Sequence, residues 1–168
     1  GANDPESDES MPSRYEPFLR ILLDLAPDLH VAGGAVKDRL LGLPLSDVDL
    51  VFPPGREGVV SRFAEQTGGT RIAFREGEPD RSTQRVAVRS GENTLVFDFT
   101  VRRGASIEED LAGRDFTVSA MALPLGAFLE GDFSRLVDPL GGRAAIRDRE
   151  IRAVSDGSFR RDPLRLLR

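Results

Sequence analysis

The stretch VAGGAVKDRLLGLPLSDVDLVF, residues 31–52, carries three structural signals in a row. A short strand over Leu29 to Ala32 runs into Gly33 and Gly34, a compact helix follows from Ala35 to Leu41, and Gly42 and Pro44 end it. The run Val48 to Phe52 then reads as a second strand. A glycine pair between a strand and a helix start lets backbone amides approach a phosphate. The same pair also serves plain packing in a tight turn, and its spacing does not fit a GxGxxG dinucleotide site. Lys37, one turn into the helix, is either a charge beside a triphosphate or an ordinary exposed lysine.

Asp47 and Asp49 stand two residues apart at the leading end of the second strand, so both carboxylates project from one face. Like charges that close repel, and a divalent cation is the usual reason to keep both ionised. Mg²⁺ held by such a pair, with substrate phosphates as further ligands, is an arrangement for phosphoryl transfer. A lone DxD also reads as a turn or a solvated edge. Asp98 is the candidate third carboxylate, inside the apolar run LVFDFTV, residues 95–101. A buried, unpaired carboxylate is costly, so a metal or an arginine is expected beside it, unless the strand is an edge and Asp98 faces water. His30 is the sole histidine, and no cysteine exists. Thiolate metal sites, disulfides and Ser-His or Cys-His nucleophiles are therefore set aside in favour of metal-assisted transfer.

Residues 1–12 are polar and acidic and read as a disordered leader. Tyr15, Phe18, Leu19, Leu22 and Leu25 recur at helical spacing before Pro27, and Val59, Val60, Phe63 and Ala64 mark a helix over 57–67. Residues 70–74, 84–89 and 94–101 are β-rich, with a hairpin turn at Ser90 to Asn93. Ser106, with Glu109 three residues on, reads as the N-cap of a helix reaching about Leu123. Strands are expected at 126–129, 135–137 and 150–154, with a short helix after the Gly141-Gly142 turn. The fold class expected is α+β, a small mixed sheet flanked by helices.

The chain has 168 residues and a net charge of −5, which argues against a uniformly basic nucleic-acid binder. The charge is uneven, however. Residues 143–168 hold eight arginines against four acids, a cluster that can meet phosphates or form a solvated helix face. No apolar run approaches the roughly 20 residues of a membrane span, and no signal peptide is evident, so the cytoplasm is expected and a membrane partner is not. The helix signals of DPLRLLR, residues 162–168, break off in mid-pattern, so the native protein is expected to continue.

Taken together, residues 31–52 resemble the nucleotidyltransferase signature of the class II CCA-adding enzymes and bacterial poly(A) polymerases, members of the polymerase β superfamily. EEDLAGRDFTVSAMAL, residues 108–123, looks like the family's arginine-aspartate motif. VDPLGG, residues 137–142, is similar to its Asp-Pro-x-Gly-Gly turn, and RRDPLRLLR, residues 160–168, resembles the nucleotide-selecting motif that opens its neck helix. The resemblance implies a polymerase β-like head over 13–154 and the start of a helical neck over 155–168. It implies transfer of AMP or CMP from ATP or CTP to an RNA 3′-hydroxyl, tRNA first, with RNA held mainly by parts beyond Arg168. Gly33, Gly34 and Lys37 would then serve the triphosphate, Asp47, Asp49 and Asp98 would hold Mg²⁺, and Arg114 would meet the sugar and phosphates. Asp162 and Arg165, assisted by Arg168, would read the base edge in place of a template.

Four positions depart from the family pattern. Lys37 stands where arginine is common, Gly113 replaces the first of two arginines, Ser119 replaces asparagine, and Arg161 occupies a position often held by glutamate. The nucleotides added therefore stay open, and so do a poly(A) polymerase, a silent nucleotide-binding module of the same fold, and a transferase with a small-molecule acceptor. The retained acids speak against the silent module, and the neck-like motif favours RNA over a small molecule.

Overall fold

The computed structural model describes residues 14–73, 83–114 and 117–155. In chain order the elements are α1 (Glu16–Leu25), β1 (His30–Ala32), α2 (Gly34–Leu41), β2 (Asp47–Phe52), α3 (Gly58–Thr67), β3 (Thr70–Ala73), β4 (Thr83–Ser90) and β5 (Asn93–Val101). There follow α4 (Ile107–Ala112), a 3₁₀ turn at Val118–Ala120, β6 (Ala122–Pro124), α5 (Leu125–Glu130), a second 3₁₀ turn at Phe133–Arg135, and α6 (Gly142–Ser155). The six strands form one sheet in the order β3-β4-β5-β2-β1-β6, with β2 and β5 parallel and every other pair antiparallel. The small mixed sheet flanked by helices is the architecture expected from the sequence.

Strand periodicity sorts side chains between the two faces. Val31, Val48, Leu50, Phe52, Val86, Val88, Leu95, Phe97, Phe99 and Leu123 join one core, against Leu19 and Leu22 of α1, Phe63 of α3 and Phe128 of α5. Phe97 is at its centre and fully buried, with the rings of Tyr15, Phe18 and Phe63 edge-on at 5.4, 6.2 and 5.1 Å. Such edge-to-face contacts add about 0.5–1.5 kcal/mol per pair to the burial itself. On the other face a smaller cluster joins Ala32, Val51 and Ala122 to Ile107, Leu111 and Ala120. Beyond it, on the same face, the residues that alternate with the core are Asp47, Asp49, Asp98 and Arg85.

The C-terminal third departs from the expected elements. Ser106 does cap α4, its Oγ accepting from the amide of Glu109 at 3.2 Å, but the helix ends at Ala112 and not near Leu123. Residues 122–124 are instead a strand, because β1 offers its free edge to them. The expected strand at 126–129 is α5, started by Pro124 and closed by Gly131. The expected strand at 135–137 is a 3₁₀ turn followed by a single bridge between Ala122 and Val137. The expected strand at 150–154 belongs to the continuous helix α6.

The Asp-Pro-x-Gly-Gly turn now has a physical account. Both oxygens of Asp138 accept from the first amides of α6, Gly142 at 2.6 Å and Arg143 at 2.9 Å. These are the amides a helix start leaves without partners. A Cβ on Gly142 would lie 2.4 Å from the carbonyl oxygen of Thr117 and 3.0 Å from Met121, so only glycine lets α6 dock there. Met121 in turn accepts through its carbonyl from the amide of Gly33 at 3.0 Å, which ties this turn to the glycine pair.

Candidate active site

The second glycine of the pair, the DxD and the third carboxylate meet in one cleft of about 350 Å³, lined by Gly34, Ala35, Lys37, Asp38, Ser46, Asp47, Asp49 and Asp98. Gly33 precedes α2 at φ 73° and ψ −137°, a conformation that side chains oppose, and it turns the chain from β1 directly into the helix. Gly34 is the first residue of α2, so the amide-rich end of that helix opens into the cleft. Lys37 also lines it.

The sheet register sets the acids. Asp47 and Asp49 lie on one face of β2, and Asp49 is in register with Asp98 of the parallel neighbour β5. Asp98 is in register with Arg85 of β4. Arg85, Asp98 and Asp49 thus form a row across three adjacent strands, with Asp47 one side-chain step along β2. Arg85 donates from Nε to Asp98 Oδ1 at 2.8 Å and from Nη2 to Oδ2 at 3.1 Å. This bidentate pair raises the Arg85 pKa above its ordinary value. The expected arginine beside Asp98 is present, and the edge-strand alternative is overturned because β5 lies inside the sheet.

Arg114 stands beside Gly33, outside the residues that line the cleft. It donates through Nε and Nη2 to Asp110 Oδ1 at 3.3 and 3.2 Å and through Nη1 to the carbonyl of Ser119 at 3.1 Å. Asp110 is 1% exposed, and its other oxygen accepts from the amide of Arg103 at 2.7 Å. A Cβ added to Gly33 would stand 3.5 Å from Asp49 Oδ2 and 3.9 Å from Arg114 Nη1, so Gly33, Asp49 and Arg114 converge where a side chain is absent. Asp162, Arg165 and Arg168 lie outside the described residues. His30 opens β1, opposite Val51 and Pro124 and away from the cleft lining, and burial pushes its pKa down.

Two supporting residues were missed by sequence reasoning. Asp110 was visible as an acid four positions before Arg114 on a helix. Arg85 carried no local signal, since its match to Asp98 depends on register across the hairpin. Among the described residues no three of the acids and histidine gather tightly enough to hold one ion together. The donor set is nonetheless all oxygen, with two carboxylates on one strand and a third whose oxygens are held by a guanidinium. Mg²⁺ bound through one or two carboxylates plus phosphates and water suits that set.

The model of the poly A polymerase head domain matches residues 29–152. The chain is 40% identical over 136 residues to the CC-adding tRNA nucleotidyltransferase of Geobacter sulfurreducens, covering 81% of this chain and 29% of that protein. It is 36% identical over 144 residues to the multifunctional CCA protein of Pseudomonas paraeruginosa, covering 83% and 33%. A solved tRNA nucleotidyltransferase complexed with a primer tRNA and an incoming ATP analog is similar in structure, with TM-score 0.57 and 30% identity, over 79% of this chain and 37% of that one. The chain spans about a third of the length of the curated relatives it matches. Its sheet order, its glycine-helix-DxD unit and a match running over 29–152 lead to one conclusion: the chain belongs to the family of the poly A polymerase head domain.

Proposed function

We propose that the protein is a template-independent RNA nucleotidyltransferase, joining AMP or CMP from ATP or CTP to an RNA 3′-hydroxyl, tRNA above all, with release of pyrophosphate. The observation that carries the reading is the shared cleft in which Asp47, Asp49 and Asp98 meet the glycine-started helix α2 and Lys37. The names of the relatives, a CC-adding tRNA nucleotidyltransferase and a multifunctional CCA protein, support the same class of reaction.

In this reading Gly33 and Gly34 let the triphosphate approach the backbone amides at the start of α2, and Lys37 adds positive charge from the helix's first turn. Asp47 and Asp49 would hold Mg²⁺ together with phosphate and water ligands, with Asp98 as the third carboxylate beside them. A divalent ion there would supply a lowered pKa for the RNA 3′-hydroxyl and offset charge on the α-phosphate and the leaving pyrophosphate. Arg114, held in place by Asp110 and the Ser119 carbonyl, steadies the sugar and phosphates of the nucleotide. Residues 1–12 are a leader, 13–154 the head and 155–168 the opening of a neck, whose Asp162, Arg165 and Arg168 select the base.

The test is incubation of the full-length protein with tRNA lacking its 3′ end and with each nucleoside triphosphate in turn. Addition of C and A residues is expected, and product length and sequence separate CCA-, CC-, A- and poly(A)-adding activity. Absence of any nucleotide addition in all four reactions with Mg²⁺ would refute the reading.

A further inference from the structure

The Arg85–Asp98 pair is built into the sheet, directly opposed across two antiparallel strands, with side-chain exposures of 31% and 13%. Nothing in the hydrophobic pattern of β4 requires an arginine there. Its effect falls on the neighbouring strand, where Asp98 and Asp49 stand in register. Side chains in register on adjacent strands are only about 5 Å apart at their bases, so two carboxylates there repel and draw in whatever cation is available. Arg85 is a cation that does not titrate away, and its planar fork occupies both oxygens of Asp98. A divalent ion reaches Asp98 only by sharing or displacing that fork. The guanidinium also cancels one of the negative charges that would attract a bare ion, whereas a bound triphosphate brings negative charge back to the cleft.

We propose that Arg85 is a positioning residue for Asp98, a resident counter-ion that fills the cation position beside this carboxylate until the divalent ion arrives together with the triphosphate. The inference rests on the reading of the cleft as a divalent-cation site. It makes metal loading depend on nucleotide, because the apo cleft carries its own plug.

Mn²⁺ is the probe, with bound and free ion measured by electron paramagnetic resonance on the protein without nucleotide, then with a non-hydrolysable ATP analogue. Arg85→Gln should bind Mn²⁺ about tenfold more tightly than the parent without nucleotide, equivalent to about 1.4 kcal/mol. Arg85→Lys, which keeps the charge and loses the fork, should fall between them. The advantage should shrink when the analogue is present. In an Asp98→Asn background Arg85→Gln should give no gain, which separates action through Asp98 from a general change of surface charge. Thermal melting shows that each variant is folded, and Arg85→Lys preserves the test if Arg85→Gln is not.

Equal or weaker Mn²⁺ binding by folded Arg85→Gln, or the same gain with Asp98→Asn, would overturn the proposal while leaving the cation site standing. A parent protein that binds no Mn²⁺ with or without the analogue would overturn the cation reading and this inference together.

Discussion

On the proposed reading Asp162 and Arg165, three residues apart in a helical sequence pattern, would face one ligand. A carboxylate acceptor and a guanidinium donor supply the two kinds of hydrogen-bonding group a base edge demands. A buried group left unpaired by the wrong base costs about 1–3 kcal/mol, roughly five- to two-hundredfold per contact. Asp162→Ala and Arg165→Ala are therefore expected to blunt the preference for ATP and CTP over UTP and GTP. Competition among the four triphosphates on parent and variants checks this, and unchanged selectivity with normal turnover would reduce the two residues to a surface ion pair. The individual acids were legible in the sequence for a common reason. A carboxylate inside an apolar strand, or two residues from another carboxylate, is physically expensive without a partner, and the expense shows locally. The partners were less legible: Arg85 is fixed by strand register, and Asp110 showed only as an acid four positions before Arg114.

The element that joins sequence motif to site most directly is the turn before α6. Asp138 accepts from two amides at the helix start, and Gly142 leaves room for the Thr117 carbonyl and Met121. Asp138→Ala is expected to lower stability by about 0.5–2 kcal/mol through the lost cap. Gly142→Ala is expected to cost more than that, since a Cβ 2.4 Å from a carbonyl forces α6 off its seat. Urea titration followed by circular dichroism measures both, and a Gly142→Ala protein as stable as the parent would contradict the packing described. The sequence was clear up to β5, where each helix ends in glycine or proline and the long strands β4 and β5 largely alternate. It was misleading afterwards. The run Leu125–Glu130 is short and apolar, a pattern that helix and strand share, and the burial of Leu125, Ala127, Phe128 and Leu129 decided for helix. Residues 143–155 contain neither glycine nor proline, so the Asp138-capped helix runs through the positions expected to form a strand.

For the molecule as a whole, one core holds the sheet on which the cleft is built. Phe97 is fully buried among Tyr15, Phe18 and Phe63, next to Asp98 on the same strand. Phe97→Ala is expected to cost about 3–5 kcal/mol, readable as a lower denaturation midpoint, and a loss under 1 kcal/mol would show that Phe97 is not the centre of the packing. The alternation that buries Phe97 also turns Asp98 to the opposite face, so core and site are two sides of one strand. On the proposed reading this face carries the acids that perform nucleotide transfer. Single-turnover transfer of CMP and AMP to tRNA lacking its 3′ end, by folded full-length Asp47→Ala and parent in Mg²⁺, tests it most directly. Loss of a metal-holding carboxylate is expected to slow transfer by about a thousandfold or more with the melting temperature little changed, whereas transfer at near the parent rate would contradict the account.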